Sequence, residues 1–176
     1  MKGFLVNIFS SSAQNIQHFR LCNTLIPGKR IVELDADNAA TCGHLKLVKY
    51  FHEQGQDCTD QGSINAARNG YLDVIEFLES IGINFSERTA NDAAAGGHLH
   101  LIRYLHSLGI HCTSHGANTA ARYGHLHVIQ DLREHGIHCT SDGADYAARG
   151  GHLHVIQDLR HHGIHCTSDG ADGAAR

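Results

Sequence analysis

Histidine and cysteine are the residues of this chain whose number and spacing first suggest chemistry. The 176-residue sequence contains 17 histidines and six cysteines, and imidazole nitrogens and thiolates are ligands that zinc prefers. Most of the histidines recur at a fixed interval and so form columns. The three columns are His44, Tyr71, His98, His125 and His152, then His100, His127 and His154, and finally His111, His138 and His165. A histidine-rich metal-binding protein is therefore one possible class of function.

The spacing of these columns argues against a metal site. Equivalent side chains on neighbouring packed helices stand about 10 Å apart, whereas zinc ligands lie about 2.0–2.3 Å from a single ion. Adjacent residues of an extended segment, such as His138 and Cys139, also point to opposite sides. We therefore predict no metal ligand and no cofactor, and we keep the metal-binding protein only as an alternative.

Four of the cysteines share one further column, and the remaining position of that column is a phenylalanine. The members are Cys58, Phe85, Cys112, Cys139 and Cys166. A position that accepts either residue is most simply a buried apolar one, because a free cysteine behaves as a small hydrophobic residue. The sequence has no Cys-x-x-Cys motif, which favours a reduced, intracellular protein, and we expect it in the cytoplasm.

Catalytic groups are plentiful, but they are not arranged as an enzyme requires. Serine, histidine and aspartate recur at regular intervals along the chain, whereas a catalytic site is one unique set of nucleophile, base and orienting group. The formal net charge of -4 gives no broad basic field for nucleic acid. No apolar run reaches the length of a membrane span. We predict no catalytic residue and expect neither nucleic acid nor a membrane as partner.

The recurrence arises from an internal 27-residue repeat. The segment from Gly124 to Arg149 is repeated from Gly151 to Arg176 with two differences, Glu134/His161 and Tyr146/Gly173. The same frame is marked along the chain by one glycine column, Gly43, Gly70, Gly97, Gly124 and Gly151. A fixed period of this size indicates a stacked repeat array.

Each repeat is predicted to contain two short helices. The first carries an alanine pair such as Ala147-Ala148 with a further small residue three positions earlier, so that a neighbouring helix can approach closely. The second has an apolar face such as Leu126, Ile129 and Leu132. Threonines are the expected N-caps of the first helices, at Thr59, Thr113, Thr140 and Thr167. Glycines with positive φ are expected after both helices, in the column already given and at Gly55, Gly82, Gly109, Gly136 and Gly163.

The pattern A-A-R-x-G-H-L-x-V-I, as in residues 147–156, resembles the ankyrin repeat. The resemblance covers the chain from about residue 35 to its C-terminus, and residues 1–34 only by register. It implies an all-α, ankyrin-like solenoid of stacked antiparallel helix pairs with short connectors. The usual ankyrin period is longer, about 33 residues, and has a Thr-Pro-Leu-His entry. This sequence therefore resembles the short variant found in large DNA viruses and amoeba-associated microbes.

The register of the repeats predicts three regions. Residues 1–34 form a degenerate N-terminal capping repeat, residues 35–167 five ankyrin-like repeats, and residues 168–176 an incomplete C-terminal half-repeat. Because a half-repeat brings no second helix, we expect residues 168–176 to fray and Leu153, Ile156 and Leu159 to be partly exposed. We expect a monomer, with association possible through this uncapped end. A truncated repeat protein without independent activity is a second alternative.

The resemblance also implies a protein-protein interaction scaffold that binds its partner on the concave face made by the first helices. The candidate contacts are first-helix positions that change between otherwise near-identical repeats, on the assumption that packing does not dictate such side chains. The first variable column is Asp37, Ile64, Asn91, Asn118, Asp145 and Asp172, and the second variable column is Asn38, Asn65, Asp92, Thr119, Tyr146 and Gly173. From these columns the predicted partner-binding residues are Ile64, Asn65, Asn91, Asp92, Asn118, Thr119, Asp145 and Tyr146. Tyr146 is the strongest anchor because aromatic residues dominate interface energetics; the alternative is that these positions are merely solvated.

An arginine column accompanies the first helices, at Arg68, Arg122, Arg149 and Arg176. Guanidinium groups in a row could hold an acidic peptide or a phosphate. Cations are also favoured at the C-terminus of any helix, which requires no partner. The sequence favours the second interpretation.

Overall fold

The computed structural model of the chain describes residues 35–168 and 170. Within residues 35–168 it contains ten α-helices: α1 Ala36–Thr41, α2 Leu45–Glu53, α3 Asp60–Arg68, α4 Leu72–Ser80, α5 Glu87–Ala95, α6 Leu99–Ser107, α7 Ser114–Arg122, α8 Leu126–Glu134, α9 Ser141–Arg149 and α10 Leu153–His161. The odd-numbered helices are the predicted first helices and the even-numbered ones the second. The predicted capping repeat 1–34 lies outside the described residues, as do Asp172, Gly173 and Arg176.

The helices pack in successive pairs, and each pair stacks on the next. Helix α5 contacts α3 on one side, α7 on the other and its own partner α6. The first helices approach one another through their alanines, and Ala93 and Ala94 are completely buried. The second helices fill the space behind them with larger side chains such as Leu101 and Leu105, which are also completely buried. The predicted all-α stack of helix pairs is confirmed.

Both glycine columns have the backbone conformation that the sequence predicted. All ten glycines have positive φ, between 71° and 85°. After α5, for example, Gly97 has φ 77°, and this turn lets the backbone N–H of His98 donate to Ala93 O at 3.0 Å. The left-handed turn therefore ends the first helix and begins the second within a few residues.

Two of these glycines give a matched test of the turn. Gly97→Ala and Gly136→Ala both place a side chain at positive φ, which costs about 1–2 kcal/mol. A Cβ at Gly136 would meet nothing within 4 Å, whereas one at Gly97 would lie 2.7–2.9 Å from the His125 ring. We expect urea unfolding to show a loss of about 1 kcal/mol for Gly136→Ala and at least about 1 kcal/mol more for Gly97→Ala, as overpacking adds to strain. Equal losses would show that the His125 ring moves aside freely.

Thr59, Thr113 and Thr140 are all N-cap residues, as predicted, but only Thr59 makes the expected side-chain bond to its own helix. The Thr59 hydroxyl accepts from the backbone N–H of Gln61 at 3.2 Å. The hydroxyls of Thr113 and Thr140 make no such bond to their own helices. They accept a side-chain amide of the preceding repeat instead, Asn91 for Thr113 and Asn118 for Thr140.

The cysteine column is buried as predicted at three positions. Cys58, Cys112 and Cys139 are each 6% exposed, while Cys166 and Phe85 are half-buried. The Cys112 thiol donates to Ala90 O at 3.2 Å. Burial raises the pKa of Cys112 to about 12 and that of Cys139 to about 11. These groups are therefore thiols rather than reactive thiolates at neutral pH.

The last helix pair is only partly as expected. Leu153 is 63% exposed and Ile156 is half-buried, which agrees with the expected partial exposure of both residues. Leu159 is 1% exposed, so the prediction was wrong for this residue. The equivalent residues Leu105 and Leu132 are also buried.

Candidate functional site

The first variable column is not a free surface but part of the packing between repeats. Asn91 accepts the backbone N–H of Thr113 through Oδ1 at 2.9 Å and donates from Nδ2 to the Thr113 hydroxyl at 3.1 Å. Asn118 makes the same two bonds to Thr140, at 2.9 and 2.8 Å. Each asparagine thus satisfies a backbone N–H at the start of the next first helix, which otherwise has no intrahelical partner.

Aspartate performs this task in two other repeats. Asp145 accepts from the backbone N–H of Thr167 at 2.7 Å and from its hydroxyl at 2.5 Å. Asp37 makes the same pair of bonds to Thr59, at 2.7 and 2.6 Å. We call the four residues Asp37, Asn91, Asn118 and Asp145 the capping residues.

The structure therefore corrects the assumption that packing does not dictate the first variable column. Ile64, Asn91, Asn118 and Asp145 are all buried, between 6% and 7% exposed. Ile64 has no polar side chain and fills its position by apolar packing. These four predicted contact residues support the surface but offer little of it to a partner.

A signal for this arrangement is present in the sequence and was missed. On the first helix that follows each capping residue there is a glycine, two positions before the next member of the first variable column. These glycines are Gly62, Gly116, Gly143 and Gly170. A Cβ at Gly143 would lie 2.5 Å from Asn118 Oδ1, so only glycine leaves room for the cap. The equivalent position after Ile64 is instead Thr89, which is 1% exposed. The identity of one residue thus predicts the other.

The second variable column is half-buried at every described position, and three of its members contact the previous repeat. Asn65 donates from Nδ2 to the Thr41 hydroxyl at 3.1 Å, and Asp92 accepts from Arg68 Nε at 2.6 Å. The Tyr146 ring lies 5.7 Å from the guanidinium carbon of Arg122. The two residues of each pair have the same separation in the sequence. Equivalent positions of three repeats therefore contact each other, through different chemical groups in each case.

Thr119 has no such contact because the corresponding residue of the previous repeat is an alanine, Ala95. Its hydroxyl instead donates within its own helix, to His115 O at 3.0 Å and Gly116 O at 2.9 Å. Asn65, Asp92, Thr119 and Tyr146 form what we call the first-helix face, the surface that remains of the predicted contact set.

At one end of this face, aromatic and basic side chains enclose a hollow of about 270 Å³. It is lined by Arg122, Tyr123, Tyr146, Arg149 and Gly150, and we call it the Arg–Tyr hollow. The Arg122 guanidinium carbon lies 5.8 Å from the Tyr123 ring centroid and 5.7 Å from that of Tyr146. Tyr123 is half exposed, at 50%. Of the hollow's four side chains, the sequence had selected only Tyr146 as a strong anchor.

The histidines of the first column join neighbouring repeats through backbone carbonyls. The bonds run from Nε2 of His98 to Arg68 O at 2.9 Å, of His125 to Ala95 O at 3.1 Å and of His152 to Arg122 O at 2.9 Å. Since a carbonyl oxygen can only accept, Nε2 must carry the proton in each case. Burial lowers the pKa of both His98 and His125 from the ordinary value of 6.5, outweighing the opposing effect of the carbonyl bond.

This lowered pKa predicts that mild acid destabilises the stack. Below pH 6.5 the unfolded chain takes up protons at His98 and His125 before the folded chain does, so the free energy of unfolding falls as pH falls towards the folded pKa values. Well above pH 6.5 these residues contribute no pH dependence. We expect the loss between pH 7.5 and 5.5, measured by urea unfolding, to be smaller in a His98→Gln/His125→Gln variant. The same loss in both proteins would contradict this assignment.

The structure also bears on the other candidate chemistries. Among residues 35–168 and 170, no three or more His, Cys, Asp or Glu side chains are grouped so that they could hold a metal ion. In that same part of the chain, each helix is too short or too polar to cross a membrane. No protein-family model and no curated protein matches this sequence.

Helix pairs in a 27-residue repeat, with alanine-lined first helices and glycine turns, define a helical-repeat solenoid. Within that class the fold is the ankyrin repeat. The chain is similar in structure to the human ASB11 ankyrin repeat domain, seen in a crystal structure, with a TM-score of 0.59 and 14% sequence identity. The match covers 75% of this chain and 70% of that one. The resemblance seen in the sequence is thereby confirmed at the level of the fold.

Proposed function

We propose that this chain is a protein-interaction scaffold that binds a partner protein through the first-helix face, centred on the Arg–Tyr hollow. The observation that carries the proposal is the grouping of two tyrosines and two arginines around one hollow. Tyrosine and arginine are among the residue types most enriched at the energetic centres of protein interfaces. The ankyrin fold supports the same conclusion, since its stacked first helices offer a continuous surface.

The small volume of the hollow favours one side chain of a protein segment over a small molecule as the bound group. Its volume of about 270 Å³ lies below the roughly 300–1,000 Å³ of typical small-molecule sites. It suits one anchoring side chain of a partner, while Asp92 and Thr119 of the first-helix face extend the contact along the stack. The buried residues Ile64, Asn91, Asn118 and Asp145 hold the helices that carry this surface.

A second hollow, with a volume of about 380 Å³, is lined by Glu79, Gly82, Ile83, Asn84, Phe85, Leu108 and Ile110. It is formed by the connectors that follow the second helices. It contains none of the predicted contact residues, so we do not place the partner there.

Selection from a phage-displayed peptide library tests the proposed function. The purified chain serves as bait, and selected peptides are titrated against Tyr146→Ala and against Tyr104→Ala, a half-buried tyrosine of the second helix α6. We expect Tyr146→Ala to weaken binding by at least about 30-fold, the equivalent of about 2 kcal/mol for a hot spot. Tyr104→Ala should bind like the parent.

Circular dichroism should show that both variants keep the parent's helix content. Two outcomes would contradict the proposal. One is that no peptide is enriched, and the other is that the selected peptides bind the parent and Tyr146→Ala equally.

A further inference from the structure

The repeats themselves show what the arginine column can bind. Arg68, the last residue of α3, donates from Nε to Asp92 Oδ1 at 2.6 Å, and its NH2 group contacts the same carboxylate. Asp92 belongs to the second variable column of the next repeat. A carboxylate placed over the end of a first helix, next to its terminal arginine, is therefore a stable arrangement in this array.

Arg122 occupies the position equivalent to Arg68, but its environment differs. The residue that corresponds to Asp92 in the next repeat is Tyr146 rather than an aspartate. The Tyr146 and Tyr123 rings are within 5.8 Å of the guanidinium carbon. Contacts with aromatic faces hold an arginine in place and leave its N–H groups able to donate to an acceptor.

Arg149 repeats the pattern one step further along. The residue that corresponds to Asp92 is here Gly173, which has no side chain to supply a carboxylate. Asp145 precedes Arg149 by one helical turn, but its two oxygens accept the N–H and hydroxyl of Thr167. Among the described residues, no carboxylate is within ion-pair distance of the guanidinium of Arg122 or Arg149.

The carbonyl at the end of α7 is not the partner of these arginines either. The backbone oxygen of Arg122 accepts from His152 Nε2 at 2.9 Å. The sequence favours the attraction of cations to a helix C-terminus as the explanation of the arginine column. At the end of α7, however, a histidine of the first column already donates to the terminal carbonyl. Arg122 and Arg149 thus both line one hollow, and no described carboxylate of this chain pairs with either of them.

We propose that the Arg–Tyr hollow binds a carboxylate side chain of an acidic, glutamate-rich segment of the partner protein. The incoming carboxylate pairs with Arg122 and Arg149 as Asp92 pairs with Arg68, while Tyr146 and Tyr123 contact the aliphatic part of the same side chain. This inference rests on the proposed function and specifies the chemistry of the partner. Because the formal net charge of the whole chain is -4, an acidic peptide is not attracted by the overall charge and requires a local basic site.

The test uses two labelled twelve-residue peptides in which glutamate or glutamine alternates with serine. Fluorescence anisotropy is recorded with the full chain at low salt, since screening weakens exposed charge pairs. We expect the glutamate peptide to bind at least about tenfold more tightly than the glutamine peptide. Arg122→Gln and Arg149→Gln should each remove most of that difference. Arg103→Gln should not, because Arg103 pairs with Asp131 on α6 and α8, away from the hollow.

Tyr146→Asp is the decisive variant because it places an aspartate beside Arg122, in the same arrangement as Asp92 beside Arg68. It should abolish binding of the glutamate peptide while the urea midpoint stays equal to or above that of the parent. Equal binding of the two peptides, or unchanged binding by Tyr146→Asp, would overturn the inference. Inorganic phosphate that shifts the Nε–H signals of Arg122 and Arg149 in NMR spectra, without any glutamate-peptide binding, would overturn it as well.

The two proposals can fail separately. If library-selected peptides without acidic residues depend on Tyr146, the scaffold function stands and the carboxylate specificity is wrong. If neither the selected peptides nor the glutamate peptide binds, both proposals are wrong.

Discussion

Leu105→Ala is expected to destabilise the array by about 2–5 kcal/mol, whereas Leu153→Ala should cost less than about 1 kcal/mol. Leu105 is completely buried on α6, and Leu153 is 63% exposed at the start of α10. Removing a buried leucine side chain loses its transfer free energy and leaves a cavity that the packed helices fill only partly. Removing an exposed one loses little, because most of its surface is already in water.

Urea unfolding followed by circular dichroism measures both changes. Because each repeat contacts only its neighbours, a cavity in a central repeat also weakens the coupling between the two sides of the stack. We expect Leu105→Ala to broaden the unfolding transition as well as shift it. Losses of similar size in the two variants would show that the core does not lie between the helix pairs as described.

The second large effect concerns the pairing between capping residue and glycine. Asn118→Ile removes both bonds to Thr140 and leaves its backbone N–H without that acceptor, which costs about 1–3 kcal/mol. Gly143→Thr forces a Cβ to within 2.5 Å of Asn118 Oδ1, and overpacking of this kind costs about 1–3 kcal/mol. The double variant recreates the Ile64–Thr89 combination that the chain uses two repeats earlier in the same frame.

We therefore expect the double variant to be more stable than the sum of the single effects allows, by about 0.5–3 kcal/mol. A thermodynamic cycle from urea unfolding of the four proteins measures this coupling. A further variant, Asn118→Ile with Gly116→Thr, serves as control, because Gly116 faces Asn91 rather than Asn118. Additive effects in the first cycle would show that the two positions do not sense each other.

The fold was predictable because its determinants are local and repeated. Positive φ at Gly97 and Gly136, the close approach at Ala93 and the burial of Cys112 all follow from residue type and a 27-residue period. Each of these patterns occurs in several repeats of the same sequence. Agreement among the copies makes the interpretation secure.

The candidate site was predicted less completely. Variation at Asn91 and Asn118 was interpreted as freedom from packing, but it is coupled to a glycine on the next first helix. The signal of such a cap is the pairing of a capping residue with a glycine on the next first helix, and this pairing is not part of the helical periodicity of either segment. Tyr146, the anchor predicted from the sequence, lines a hollow that Tyr123 and Arg149 join only through the stacking of α7 and α9.

The capping residues give the array a direction. Asn91 and Asn118 are supplied by the earlier repeat, and the N–H groups that they accept belong to the later one. During synthesis, a first helix that leaves the ribosome therefore meets an acceptor that has already been made, on a repeat that can already be folded. If the repeats folded from the C-terminal side instead, each first helix would form before the repeat that supplies the acceptor for its first N–H group. This direction of the capping bonds favours assembly of the stack from its N-terminal side during synthesis.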